Sequence, residues 1–171
     1  MKFRSATRRF REAQEVRVYD AFGIPGASRQ GAVMDRKHFE VRSARNAEFF
    51  RSERPWAAIQ ISSRDGHPVL SEENRIGLLR LVFEDTLEPD RPDSFNASLA
   101  KEILDFVDEH WDKAETFLIH CDVGLSRSPA VAAALSRIYY GDDGPCSEMD
   151  FPNPLVYQLL VATRSERRRH A

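Results

Sequence analysis

A cysteine and an arginine stand six positions apart in the segment 120–128, which reads His-Cys-Asp-Val-Gly-Leu-Ser-Arg-Ser. The apolar run 117–119 comes directly before this segment and is typical of a buried strand. The alanine-rich stretch 129–135 follows it and opens a helix. A strand, a short loop and a helix in this order direct the loop amides and the positive end of the helix dipole into one space. The sequence therefore predicts an anion-binding cradle.

The residue types in this cradle suit nucleophilic attack on a bound phosphate. A thiol that faces a helix N-terminus and an arginine ionises more readily than a free thiol, so Cys121 is the candidate nucleophile. Arg127 offers a planar fork for two phosphate oxygens, and the Ser128 hydroxyl is placed to help the sulfur leave. His120 is expected to orient the loop through backbone hydrogen bonds. The predicted phosphate-binding residues are Asp122, Val123, Gly124, Leu125, Ser126 and Arg127.

The segment 120–128 resembles the signature of the cysteine-dependent protein tyrosine phosphatases, and its Ser-Arg-Ser ending is most similar to the dual-specificity branch. The resemblance extends over roughly 55–163. It implies hydrolysis of phosphotyrosine in proteins through a phosphocysteine intermediate, with phosphoserine and phosphothreonine as further substrates. It implies neither a metal nor an organic cofactor. Two alternatives stay open, namely a catalytically weak phosphate-binding module and a phosphatase of non-protein phosphate esters.

Departure of the leaving group needs a proton, which a positioned carboxylic acid supplies best. The acidic loop 84–93 follows a predicted strand and should lie at the same edge of the sheet as the cradle. In the family that the signature resembles, the general acid is an aspartate on this loop, and the sequence Phe-Glu-Asp-Thr at 83–86 fits that context. Asp85 is therefore the first candidate. The alternatives on the same loop are Asp90, Asp93 and Glu84.

Strands and helices alternate along most of the chain. This order predicts an α/β fold with a mainly parallel central sheet of about four to five strands and helices on both faces. The active-site loop would join a strand to a helix at the carboxyl edge of that sheet. The predicted strands are 39–42, 56–62, 78–83 and 117–120. The predicted helices are 43–50, a second one that Asp93 or Ser94 caps and that runs to about 111, 129–140, and a last one over 154–164 that Asn153 caps.

The composition is typical of one globular domain: of 171 residues, 42% are hydrophobic and 30% are charged. We expect an N-terminal extension over 1–33, with a short strand at 16–19, a phosphatase domain over 34–164 and a basic tail over 165–171. The two ends are basic, while the body is acidic and the formal net charge is −2. An acidic body argues against a broad surface for nucleic acid or for anionic membranes.

Cysteine use and hydropathy bear on location and cofactors. The two cysteines, Cys121 and Cys146, are too few for a disulfide framework and are consistent with a reducing cytoplasm. Neither has the spacing of a zinc site, so no metal is expected. No apolar run reaches the length of a membrane span, and no signal-peptide core is seen. The expected partner is a phosphorylated protein substrate. The oligomeric state and the redox activity of Cys146 stay open.

Overall fold

The computed structural model describes residues 36–144 and 152–170. In this part of the chain, four strands form one sheet in which every pair of neighbours runs parallel, in the spatial order β1-β4-β2-β3. The strands are β1 (His38–Ser43), β2 (Trp56–Ser62), β3 (Arg75–Val82) and β4 (Thr116–Cys121). The helices are α1 (Ala44–Ala47), α2 (Ala97–His110), α3 (Arg127–Tyr140) and α4 (Pro154–His170). The predicted α/β fold with a parallel sheet is confirmed.

The two central strands are also the most apolar ones. Every residue of β2 is buried, and β4 is buried from Phe117 onward. The edge strands β1 and β3 keep many partly exposed residues. A parallel strand that is covered on both faces must be apolar along its whole length. This explains why β2 and β4 appear in the sequence as continuous hydrophobic runs without polar alternation.

Helices cover both faces of the sheet, but unequally. Ile59 and Phe117 belong to the large core cluster that includes side chains of α2, α3 and α4. Trp56 and Leu118, which point to the opposite face, pack with the short helix α1 and with Leu70. Burial of one such large apolar side chain contributes roughly 1.5–3 kcal/mol. The larger cluster lies beneath the end of β4, so it supports the loop that carries Cys121.

The start of α2 differs from the prediction. The helix begins at Ala97, and the side chain of Asn96 caps it by accepting hydrogen bonds from the amides of residues 98 and 99. The predicted caps, Asp93 and Ser94, were wrong. Asp93 accepts hydrogen bonds from Arg91, and the Ser94 hydroxyl donates to two carbonyl oxygens of its own loop. Both side chains are therefore engaged in folding the acidic loop.

The last helix continues beyond its predicted end near residue 164 and reaches His170. Arg164 pairs with Asp108 at 2.6 Å, and Arg167 pairs with Asp105 at 2.8 Å. These pairs join α4 to α2, so most of the segment predicted as a basic tail is helical. The division into extension, domain and tail stays a prediction. The extension 1–33, its expected strand at 16–19 and Cys146 lie outside the described residues.

Among the described residues, no helix combines the length and the apolar character needed to cross a membrane. Within 36–144 and 152–170, no group of three or more His, Cys, Asp or Glu side chains is arranged to hold a metal ion.

Candidate active site

Cys121 is the last residue of β4, and its side chain lies at the bottom of the loop that leads into α3. The residue is 2% exposed. Its Sγ accepts hydrogen bonds from the Gly124 amide at 3.2 Å and from the Ser128 hydroxyl at 3.1 Å. The loop therefore curls around the sulfur with donors pointing inward, as the sequence predicts for a cradle that stabilises negative charge.

Position 124 favours glycine for two reasons, its backbone conformation and the close approach of another segment. Its φ of +83° lies in the left-handed region, which residues with a Cβ rarely adopt. A Cβ at this position would lie 2.6 Å from the backbone nitrogen of Ser43. The loop thus packs directly against the junction of β1 and α1, where the Ala44 amide donates to the Asp122 carbonyl oxygen at 3.3 Å.

Arg127 is held on two sides of its guanidinium. Nη1 donates to the carbonyl oxygen of Phe83 at 2.7 Å, and Nη2 donates to Oδ2 of Asp122 at 2.6 Å. The side chain is 5% exposed, and its buried Nε has no hydrogen-bond partner within the described residues. The contact with Phe83 ties the cradle to the point where the acidic loop begins.

Ser126 occupies the N-cap position of α3 but does not cap the helix with its side chain. Its hydroxyl donates instead to Oδ1 of Asp85 at 2.9 Å. The first amides of α3 therefore have no side-chain cap within the described residues. Such amides, together with the helix dipole, favour an anion at this end of the helix.

Among the four candidate acids of the loop 84–93, Asp85 has a side-chain hydrogen bond to the cradle. Besides the bond from Ser126, its Oδ1 accepts a hydrogen bond from Asn153 Nδ2 at 2.8 Å. Among the described residues, none of the alternative acids Glu84, Asp90 and Asp93 has a side-chain hydrogen bond to residues 121–128. Asp93 pairs instead with Arg91 at the exposed end of the loop.

Asn153 is a residue of this site that the sequence predicted only as a helix cap. Its Oδ1 does cap α4, because it accepts hydrogen bonds from the amides of residues 155 and 156. Its Nδ2 donates to the Asp85 carboxylate and, at 3.2 Å, to the Thr86 carbonyl oxygen. The side chain is buried. The Asn-Pro sequence signals the cap, but nothing local signals a contact with a loop 68 positions away.

His120 lies in a buried polar network with Gln60. Gln60 Nε2 donates to the carbonyl oxygen of Pro68, while Gln60 Oε1 accepts from Arg80. These two bonds show which end of the Gln60 amide is the nitrogen. Gln60 Nε2 also lies 3.1 Å from His120 Nε2, and because an amide nitrogen can only donate, His120 Nε2 is the acceptor. Burial lowers the pKa of His120 to about 4, which agrees with a neutral ring. Its Nδ1 has no hydrogen-bond partner in the described part of the chain, and its loop-orienting role stays a prediction.

Asp122 uses its side chain in a way that the sequence did not suggest. Its Oδ2 accepts hydrogen bonds from the Ser63 amide at 3.3 Å, from the Ser63 hydroxyl at 3.0 Å and from Arg127 at 2.6 Å. Partial burial opposes ionisation, but the bonds from Arg127 and Ser63 outweigh it and lower the pKa of Asp122. The carboxylate is therefore charged at neutral pH.

The surroundings of the loop are apolar at several points. Three large hydrophobic side chains on loops at this edge are more than half exposed, namely Phe49, Val123 and Leu125. A cavity of about 370 Å³ lies beside the loop, with Phe49, Val123 and Gly124 in its lining. The polar part of the lining includes the ion pair of Glu40 with Arg42. The cavity is thus next to the cradle and has both apolar and charged walls.

Comparisons with known proteins place this architecture. No protein-family model matches the sequence, and no curated protein sequence matches it either. Among solved structures, human DUSP28 is 16% identical with a TM-score of 0.55, and the match covers 80% of this chain and 98% of that one. A single-substitution variant of human DUSP28 gives 17% identity and a TM-score of 0.56, covering 80% of this chain and 96% of that one. The chain therefore has the fold of the dual-specificity phosphatases.

Proposed function

We propose that this protein hydrolyses phosphotyrosine in proteins, with phosphoserine and phosphothreonine as further substrates, through a phosphocysteine intermediate. One observation carries the proposal: the Ser126 hydroxyl, in the loop that also holds Cys121 and Arg127, donates a hydrogen bond directly to the carboxylate of Asp85. A nucleophile, an anion-binding guanidinium and a proton donor thus meet at one edge of the sheet. The fold shared with human DUSP28 supports the same conclusion.

In the first step, the Cys121 thiolate attacks the phosphorus atom in line with the leaving group. The S–P bond forms while the bond from phosphorus to the leaving oxygen breaks. Asp85 donates its proton to that oxygen. Ser126 and Asn153 both donate their hydrogen bonds to Oδ1 of Asp85, so Oδ2 is the oxygen that carries the proton. Arg127 and the amides of 122–127 stabilise the charge on the equatorial oxygens.

In the second step, a water molecule attacks the phosphocysteine. Asp85, now a carboxylate, accepts the proton of the water as the new O–P bond forms and the S–P bond breaks. Inorganic phosphate leaves, and the sulfur returns as a thiolate. The Ser128 hydroxyl, which donates to Sγ at 3.1 Å, stabilises the sulfur as it departs. The positive charge in both steps comes from Arg127 and the helix N-terminus.

The surroundings of the cradle favour an aryl phosphate in a protein over a polyphosphorylated small molecule. Cys121 lies buried beneath the loop, while Val123 and Leu125 expose apolar surface beside it. The ionised Asp122 stands at the edge of the site with 43% of its side chain exposed. Its charge repels additional phosphate groups. An aromatic ring on a peptide fits this rim better than an inositol or a nucleotide with several phosphates.

The test is turnover of a substrate panel combined with capture of the intermediate. We expect hydrolysis of phosphotyrosine peptides to exceed that of phosphoinositides and nucleotides. Rapid quenching of Asp85→Asn during turnover should reveal one phosphoryl group on the peptide that contains Cys121. Tight phosphopeptide binding without turnover would instead support a phosphate-binding module. Preferred turnover of the non-protein esters would support the other alternative.

The expected location in the cytoplasm rests on cysteine use and stays a prediction.

A further inference from the structure

Arg127 has an unusual arrangement of partners. A guanidinium carries five N–H donors, and two of its nitrogens, Nη1 and Nη2, are engaged by Phe83 and Asp122. Nε has no partner within the described residues, although it is buried. As far as the described residues are concerned, three N–H groups therefore remain for a ligand: the one on Nε and one on each of the other two nitrogens. The two protein contacts determine the direction in which those groups point.

Asp122 is itself held firmly by a third segment. Ser63 follows β2 and donates both its amide and its hydroxyl to Oδ2 of Asp122. The same oxygen accepts from Arg127 Nη2. The carboxylate thus links the residue after β2 to the guanidinium.

The ion pair between Asp122 and Arg127 also affects how the guanidinium binds anions. A nearly fully buried guanidinium is costly without a negative partner, and Asp122 supplies one before any substrate arrives. A phosphate dianion that binds Arg127 must then share the guanidinium with a carboxylate. The carboxylate should therefore orient Arg127 for catalysis while it weakens the binding of anions.

We propose that the Asp122 side chain is a positioning residue that orients the Arg127 guanidinium toward the phosphate at a cost in anion affinity, with Ser63 as its anchor. This assignment rests on the proposed function. It separates two properties of one carboxylate, since the hydrogen-bond acceptor positions Arg127 and the negative charge opposes the phosphate. The two properties can be removed one at a time.

The experiment compares Asp122→Asn, which keeps an acceptor of the same shape without the charge, with Asp122→Ala, which loses both. Binding of inorganic phosphate is measured by calorimetry, and kcat and KM are measured with an aryl phosphate. We expect Asp122→Asn to bind phosphate at least about threefold more tightly than the wild type. Asp122→Ala should lose at least about tenfold in kcat relative to Asp122→Asn, because Arg127 is no longer oriented. Ser63→Ala should lower kcat in the same direction by a smaller factor.

Asp65→Asn is the matched control, because it removes the same charge from an exposed position just beyond Ser63. It should leave phosphate affinity and kcat at wild-type values. Equal kcat in Asp122→Asn and Asp122→Ala, or phosphate binding that is no tighter in Asp122→Asn, would overturn the proposal. The proposal would also be overturned if the loss of kcat in the Asp122 variants were fully explained by a lower Tm, that is, by a loss of folding. Failure of the proposed function would look different, because turnover would be absent from the wild type while phosphate binding still responded to Asp122.

Discussion

The cradle loop 121–127 and the acidic loop 84–93 lie at the same edge of the sheet but are built differently. The contacts of the cradle sulfur are local, since the donors to Cys121 come from residues three and seven positions away. The contacts of Asp85 are remote, since its partners Ser126 and Asn153 lie 41 and 68 positions away. A short motif can specify the first loop, whereas the second depends on the packing of distant elements.

This difference predicts different mutational behaviour. Under the proposed function, changes in the cradle affect bond making to phosphorus and should reduce every reaction. Changes around the acidic loop affect proton transfer and should depend on the leaving group. Five experiments test this contrast.

Removal of the nucleophile should have the largest effect. We expect Cys121→Ser to lower turnover of an aryl phosphate by at least about 10³-fold. A serine oxygen can accept the hydrogen bonds from Gly124 and Ser128, so Tm should change by only a few degrees. Cys146→Ser is the matched control and should retain activity. Substantial turnover by Cys121→Ser would show that the nucleophile lies elsewhere.

Replacement of the guanidinium should come next. Arg127→Lys keeps the charge but cannot hold the Phe83 carbonyl, the Asp122 carboxylate and a phosphate at once. We expect kcat/KM to fall by about 10²- to 10³-fold for aryl and alkyl phosphates alike. Arg91→Lys, on the exposed part of the acidic loop, provides the control. A loss confined to alkyl phosphates would place Arg127 in proton transfer and contradict the proposed role.

Loss of the acid should depend on the substrate. Asp85→Asn should slow alkyl phosphate hydrolysis by about 10²-fold but nitrophenyl phosphate by less than about tenfold, because nitrophenolate leaves without a proton. Parallel kinetics with Asp90→Asn give the control for a charge on the same loop. If Asp90→Asn shows the leaving-group dependence and Asp85→Asn does not, the acid has been assigned to the wrong residue.

Asn153 should contribute through Asp85. Asn153→Ser keeps a side-chain acceptor for the cap of α4 but loses the N–H that holds Asp85. We expect a loss of about three- to tenfold in kcat for alkyl phosphates, in line with the free energy of one hydrogen bond. In the Asp85→Asn background, the same substitution should cause no further loss. Additive losses in the double variant would mean that Asn153 acts independently of the acid.

His120 should affect stability more than turnover. Because burial lowers its folded-state pKa to about 4, the unfolded chain binds a proton that the folded chain does not between about pH 6.5 and pH 4. Stability should therefore fall as the pH drops through that range, by on the order of 3 kcal/mol in total. Urea unfolding at pH 7 and pH 5 measures this slope, which should be smaller in His120→Gln. An unchanged slope in His120→Gln would show that other groups set this pH dependence.

Much of the fold could be predicted from the sequence because the signals are local. Continuous apolar runs identified the central strands β2 and β4, and the segment 120–128 located the cradle between β4 and α3. The boundaries of α2 and α4 were less predictable. Asp93 and Ser94 make hydrogen bonds within their own loop while Asn96 caps α2, and the extended end of α4 forms ion pairs with α2.

The sequence by itself determined the candidate nucleophile and its anion cradle, because Cys121, Gly124, Ser128 and α3 are neighbours along the chain. Tertiary structure decided how this cradle is completed. It brought Ser126 and Asn153 to Asp85 rather than to the other three candidate acids, and it joined Asp122 to both Ser63 and Arg127. Hydrogen bonds between residues tens of positions apart depend on how helices pack on the sheet, and no short sequence pattern encodes that packing.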